Sequence, residues 1–568
     1  MITKKIKKYV IACTVCFGMS IVNTSCSKFL DILPMNEVVL ENFWTEKADV
    51  TSVLNGCYES LEHNDAMIRM GVWGEVRSDN MQAGANVPNN VNEILKENLL
   101  PSNDLCNWAK FYEAINRCNT VCYYAPQVQA IDPNYTEDEM RAQVAEATAL
   151  RALSYFYLIR TFRDVPYTTK PSIDDTQVYV LPATPFDAVL DSLITDLERV
   201  KDDAVRRFVV DESDDAYLNS SRITRWAVYT LLADLYLWKG DWNNAINYCD
   251  KVIEGKRQQY DEMILREGQV NDITLIDEIP MIMEKPVGST VYGNAYNEIF
   301  AQGNSFEGIF ELYYGSRQGR SNVWTSNYYF GSRDNPVGYL SCPDFLARDA
   351  ATGNNSIFKK TDGRIYENTQ LSSSTYAITK YTCSNVSYTT QNINSEKDMR
   401  MSKTYGTASR ANWIIYRLSD VILIKAEALI ERNEGDDFTT AFNLINVVNK
   451  RANNVVEGDN RTSTLKASDY TDSKAAMEAL VLEERQREFL FEGKRWYDLV
   501  RFARRDGNNS RLIDLATRKL LENVNAIKIK LADPNVIYFP YYRNELKVNP
   551  LLKQNPAFAN GEDSELNR

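Results

Sequence analysis

The sequence predicts a mostly α protein, a scaffold of tetratricopeptide-like helical repeats interrupted by a large, irregular, loop-rich insertion. Three observations predict it. Apolar and small residues recur at helical spacing in four places, glycine marks turns between them, and the helical period fades between about residues 256 and 410. In the clearest unit, Ile223 to Ile253, Trp226, Tyr229, Ala233, Tyr236 and Leu237 share one helical face. Gly240-Asp241 makes the turn, and Ala245, Ile246, Cys249 and Ile253 restart the period. Small residues such as Ala233 and Ala245 let two helices approach closely, while Trp226 and Tyr236 fill the space between pairs. Similar units are predicted around Gln143 to Phe162, around Leu418 to Arg451 with Gly435 at the turn, and around Ala475 to Arg504. Four such units bury one another's faces as a stacked array.

The chain opens with a basic segment, Lys4, Lys5, Lys7 and Lys8, then the mostly apolar run Tyr9 to Val22, then small polar residues leading to Cys26. Fourteen such residues are short of the roughly 20 that span a bilayer, so residues 1–25 read as an export signal. Cleavage before Cys26, behind the small Ser25, is the arrangement of a bacterial lipoprotein signal; Asn23 departs from the usual Leu or Val. Lipid on Cys26 is then the expected membrane anchor.

Residues 26–255 are expected to form an N-terminal helical part, 256–410 the irregular aromatic-rich insertion, and 411–568 a C-terminal helical part packed on the first. In the insertion, SNVWTSNYYFGSRDNPVGY (Ser321 to Tyr339) has the composition of long loops and short strands. Irregular segments on a rigid scaffold are where ligand contacts concentrate.

Composition excludes several functions. The 568 residues carry 64 Lys+Arg against 77 Asp+Glu, a net charge of -13. Removing residues 1–25 takes four Lys and no acid, leaving 60 cations and a net of -17. Such a balance argues against a nucleic-acid partner, whose phosphates are held by Lys and Arg. The single histidine, His63, removes most His-based metal sites and Ser-His-Asp or Cys-His catalysis. Its polar surroundings place it in an exposed loop. Seven cysteines remain besides Cys26, an odd number with no regular spacing, and read as buried free thiols. Cys118 and Cys122 lie one helical turn apart but have no second pair. The acidic run Asp211 to Asp215 lacks the Gly and closing Glu of a calcium loop. Neither a metal nor a cofactor is expected.

The most concentrated charge lies in EERQREFLFEGKRWYDLVRF, Glu483 to Phe502. Glu484 and Glu488 share a helix face at i and i+4, the kind of carboxylate pair a surface glycosidase would use. Arg485, Arg487, Lys494 and Arg495 surround them, and such cations lower a carboxyl pKa where a general acid needs it raised. Structural ion pairing is therefore predicted. No phosphate-cradling glycine loop, GxSxG or HExxH is present.

The aromatic loop is the candidate binding element. A sugar ring has an apolar C–H face and a rim of hydroxyls, so it is held by an aromatic ring beneath and amide or charged groups around it. Trp324, Tyr328 and Tyr329, interleaved with Arg320, Asn322, Ser326 and Asn327, supply both kinds of group. The alternative reading is a hydrophobic cluster beneath a long loop.

Several segments in this order resemble the SusD/RagB family of outer-membrane nutrient-binding lipoproteins. They are CSKFLDILP from Cys26, FWTEKADVTSVLNGCYESL from Phe43, RSDN at Arg77 to Asn80, and WAKFYEAINRCNTV from Trp108. AEATALRALSYFYLIRTFRDVPY from Ala145, YRLSDVILIKAEAL from Tyr416, EGKRWYDL from Glu492 and IYFPYYRNELKVNPLLKQNP from Ile537 follow. Arg163, where Gly is usual, and Tyr541 depart from the pattern. The resemblance implies a SusD-like fold and a lipid-anchored protein exposed on the outer membrane. It implies capture of an oligosaccharide for a SusC-like TonB-dependent transporter, without bond cleavage, or of a peptide as in the RagB branch. It points for ligand contact to Asn80, which follows the Ser-Asp motif, and to Trp324, Tyr328 and Tyr329; Arg320 and Asn327 flank them.

Overall fold

Helix follows helix through most of the computed structural model, which describes residues 43–568 apart from short stretches. These are 174–179, 211–212, 215, 269–271, 284, 288–289, 293, 316–319, 348–356, 360–361, 391–398, 454–464 and 562–568. The expected export signal and Cys26 lie outside the described residues, as does most of the acidic run 211–215.

The scaffold begins with α1 (Lys47–Glu62) and α2 (Asn64–Gly71), continues with α3 (Ala109–Gln129), α4 (Glu137–Phe162) and α5 (Phe186–Val200), and reaches the hairpin of α6 (Arg225–Lys239) and α7 (Trp242–Glu267). After the irregular part come α8 (Leu418–Arg432), α9 (Asp437–Asn453), α10 (Lys474–Glu488) and α11 (Arg495–Asp506). Neighbours in this series pack on one another from α3 to α10, and α7 against α8 carries the array across the insertion. The mostly helical fold class expected from the sequence is therefore what the chain adopts, and α7 runs on to Glu267, past residue 255.

Local chemistry sets the boundaries. Thr136 caps α4 in a reciprocal box with Glu139, and from Ala145 to Phe162 every residue of that helix is buried, as befits a helix enclosed by neighbours. At the α6–α7 turn, Gly240 takes φ +81 and ends α6, and Asp241 caps α7 through the Asn244 N–H at 3.2 Å. The α8–α9 turn uses the same device with Asn433 at φ +53 and Gly435 at φ +49.

The intervening part is built of short antiparallel pieces. One strand near the N-terminus, β1 (Gln82–Ala83), joins it, and its own strands begin with β2 (Ile273–Ile276), β3 (Ile279–Ile282), β4 (Lys285–Val287), β5 (Thr290–Tyr292) and β6 (Gly308–Leu312). They continue with β7 (Leu340–Ser341), β8 (Thr369–Ser372), β9 (Thr375–Ile378), β10 (Cys383–Thr390), β11 (Met399–Tyr405) and β12 (Trp413–Arg417). β10 lies inside a four-stranded sheet of order β11-β10-β5-β4. β6 pairs with β12, Glu311 opposite Ile414, which brings the insertion back to the start of α8. β1 pairs with β7, Gln82 opposite Ser341, tying a loop near the N-terminus to the aromatic loop.

The seven cysteines in the described residues are free thiols, six buried and Cys122 half-buried. His63 is exposed, and its ring accepts the Asp65 N–H at the start of α2. Among the described residues no helix is long and apolar enough to cross a membrane.

Candidate functional site

The Arg77-Ser78-Asp79-Asn80 segment is wholly buried and joins the two ends of the chain. Arg77 pairs with Glu97 at 2.6 Å, donates to the Ile537 carbonyl at 2.8 Å and stacks 4.1 Å from the Trp496 ring centre. Asp79 pairs with Arg495 at 2.9 Å; burial alone would raise its pKa, but that guanidinium holds it below the usual carboxylate range. The Asn80 amide donates to Glu75 at 2.7 Å and accepts from Gln486 at 2.8 Å. Asn80, expected to meet a ligand, is a structural tie with its amide already engaged, and no part of it faces solvent.

The aromatic loop folds as a single π-helical turn, Trp324–Tyr329. Trp324 and Tyr329 are 0% exposed and Tyr328 6%. Trp324 stacks on Tyr328 with centroids 4.4 Å apart and meets Tyr329 edge-on at 5.4 Å. The Tyr329 hydroxyl donates to the Phe491 carbonyl at 2.8 Å. Beneath them Trp324 presses against Gly71 of α2, where an added Cβ would stand 2.2 Å from the ring. Where three open rings are expected, the chain forms a buried cluster, because Trp324 packs on Gly71 of α2, Tyr329 against Phe491, and Tyr328 between Trp324 and Tyr339. Arg320 is committed as well, to Glu59 at 2.8 Å and Glu62 at 3.0 Å on α1. Asn322 donates to the Ala411 carbonyl at 2.9 Å. Of the named residues only Asn327 is exposed.

The outer surface over this cluster is formed by residues that composition alone does not single out. Phe330 and Tyr405 are both half-buried, with ring centres 5.3 Å apart, and Tyr339 is half-buried and edge-on to Tyr328 at 5.3 Å. Backbone bonds bring the segments together: Tyr339 N–H to the Asn327 carbonyl at 3.1 Å, and Gly84 N–H to the Tyr339 carbonyl at 2.8 Å. Asn327, Ser332 and Arg333 of the same loop are exposed, as is Asn86, two residues beyond Gly84. Partly open aromatic rings thus stand on this loop and beside it, with exposed amide, hydroxyl and guanidinium side chains near them along the chain. Such a patch can hold a polar ligand that has one apolar face. The signal that could have found it is the aromatic following the Trp324–Tyr329 turn together with the Tyr of a distant strand.

Glu484 and Glu488 form no acid–base pair. Glu484 meets Arg364 at 2.8 Å and Arg487 at 2.7 Å. Glu488 meets Arg417 at 2.5 Å, Arg364 at 2.9 Å, and Arg451. Burial would raise both carboxyls, yet the facing guanidinium groups hold Glu484 below and Glu488 well below the usual range. Both carboxylates are locked as ions in the interior, as the surrounding charges predict.

Comparison with known proteins bears on the whole chain. Residues 305–558 match the model of the SusD family, and residues 28–237 match a model described as starch-binding, associating with outer membrane. A SusD-like protein of Formosa agariphila is 24% identical over 98% of this chain and 100% of its own length. A SusD-like protein of Bacteroides ovatus is 25% identical over 84% of this chain and 80% of its own. Among solved structures, a SusD superfamily protein from Bacteroides thetaiotaomicron superposes with a TM-score of 0.63 at 18% identity, covering 90% of this chain and all of that one. Surface glycan-binding protein A from the same organism, in complex with laminarihexaose, gives 0.59 at 19% identity, covering 90% of this chain and all of that one.

Proposed function

Since this chain belongs to the SusD/RagB family, we propose that it binds a glycan at the cell surface and passes it to a SusC-like TonB-dependent transporter. The protein is associated with the outer membrane, held there by lipid on Cys26, and captures an oligosaccharide without cleaving it. The observation that carries this reading is the patch of Phe330, Tyr339 and Tyr405 with Asn327 at its rim. A pyranose offers C–H groups to such rings and hydroxyls to such amides, and a floor already packed loses little order on binding. The laminarihexaose held by a protein of the same fold supports a glycan as ligand. Arg320 and the Trp324, Tyr328 and Tyr329 cluster act from beneath by fixing the loop.

Modest affinity at one patch suffices, because a binder held over a transporter raises the local ligand concentration at its entrance. The test is titration of the full mature chain in detergent against a panel of neutral oligosaccharides that includes laminarihexaose. Binding of at least one is expected, with a TonB-dependent transporter co-purifying from native membranes. Peptides instead of sugars in that complex would replace the glycan with the RagB-type ligand; no binding to any glycan would count against the reading.

A further inference from the structure

A second cleft, of about 540 Å³, lies at the base of the α6–α7 hairpin, closed by the 206–207 segment on one side and the 304–309 segment on the other. Its volume is in the range of small-ligand sites, roughly 300–1,000 Å³. It shares no residue with the aromatic patch described above. Trp226, at the start of α6, is half-buried in its wall. One side of the indole is closed by Gly255 of α7, where a Cβ would come within 2.6 Å of the ring, so the ring is held as a fixed wall.

The charge of this cleft is opposite to that of the chain. Arg206, Arg207, Lys256 and Arg266 line it, and Glu262 is the one carboxylate among the lining residues. The arginines are positioned. Asn219 clamps the backbone of Phe208, accepting its N–H at 2.7 Å and donating to its carbonyl at 2.9 Å, which fixes the turn that carries Arg206 and Arg207. Arg206 is held by Gln258 at 2.8 Å with its guanidinium 5.7 Å from the Trp226 ring centre, and Arg207 meets Glu262 at 2.9 Å. Lys256, buried beneath, donates to the Phe306 and Gly308 carbonyls. The Ser305 hydroxyl, buried in the same wall, has no hydrogen-bond partner among the described residues.

We propose that this cleft is a second sugar site, specific for an acidic oligosaccharide whose pyranose lies on Trp226 and whose carboxylate or sulfate is met by Arg206 and its basic neighbours. Fixed cations beside a fixed indole in a chain of net charge -13 favour an anionic ligand with an apolar face over a neutral one. The inference rests on the reading of the protein as a glycan binder and adds a ligand class and a place.

The full mature chain in detergent is titrated with laminarihexaose, an oligogalacturonate and a sulfated carrageenan oligosaccharide of similar length. At least one acidic sugar should bind, and the affinity should fall tenfold or more as salt rises from about 50 to about 500 mM. Which acidic arm binds separates the carboxylate from the sulfate. Trp226→Ala should abolish this binding, and Arg206→Gln, at an exposed position that leaves the fold intact, should weaken it at least fivefold. Phe330→Ala should leave it unchanged. The proposal is overturned if no acidic sugar binds in a Trp226-dependent way, if Arg206→Gln has no effect, or if a poly-glutamate peptide binds equally well in the same Trp226-dependent way. Binding of neutral sugars without acidic ones would overturn the cleft and leave the glycan-capture reading standing; binding of no sugar would remove both.

Discussion

The Trp324 ring occupies space that only a glycine at position 71 leaves open, since a Cβ on Gly71 would lie 2.2 Å from it. Gly71 has an ordinary helical φ of -66, so the constraint is one of volume and not of backbone conformation. Gly71→Ala is therefore expected to push Trp324 outward, at about 1–3 kcal/mol for overpacking, and to loosen the loop above it. Denaturant unfolding should show the loss, and glycan affinity should fall with it. Unchanged values for both would mean that the ring does not need this seat.

Trp324→Ala removes the centre of the cluster beneath the patch. A buried aromatic truncated to Ala costs about 3–5 kcal/mol, so unfolding should shift strongly. Its effect on binding should follow from the disordered floor and not from a lost contact, and near-ultraviolet circular dichroism of the free protein should already report it. A variant with normal stability and lost binding would restore Trp324 as a direct contact.

Glu488 is surrounded by Arg364, Arg417 and Arg451 in the interior. Glu488→Gln should leave those cations underpaired and destabilise the protein by about 3–5 kcal/mol. The fold joins here: Arg417 ends β12 and Arg451 belongs to α9, so unfolding should lose cooperativity as well. A near-neutral effect in urea titration would contradict this arrangement.

Glu492 sets an acid limit. Burial alone would raise its pKa, but Arg417, then Lys380 and Lys494, bring it down to about 2. Arg417 contributes more than either lysine, and Lys380, although burial pulls it down to about 8, is still charged across the acid range. A carboxyl depressed on folding gives stability above its unfolded pKa, near 4.5, and loses it as pH falls toward 2. The shift corresponds to about 3 kcal/mol over that window. In Glu492→Gln the fall in stability between pH 4.5 and 2 should flatten, which chemical unfolding across that range measures; a parallel curve would contradict it.

The helical array was legible because its information is local. Gly240 and Gly435 mark two turns where left-handed backbone is used, and the apolar period around Ala233 and Ala245 marks the faces that meet. The ion-pair role of Glu484 and Glu488 was legible from the density of cations around them, although Arg364 and Arg417, far away in sequence, supply much of the pairing. The burial of Trp324, Tyr328 and Tyr329 was not, because a Tyr-rich loop can face outward or inward and its seat, Gly71, belongs to a helix near the start of the chain. The pairing of Phe330 with Tyr405 was hidden for the same reason: it depends on β11 returning beside the aromatic loop.

Whether the glycan rests on Phe330 and Tyr405 is decided by calorimetric titration of the tightest-binding neutral oligosaccharide into the wild-type chain and into a Phe330→Ala, Tyr405→Ala double variant, with unfolding of both recorded alongside. The affinity should be at least tenfold weaker in the double variant, with an unfolding transition close to that of the wild type. Equal affinity in the two chains would contradict it, and would place the glycan elsewhere on the molecule.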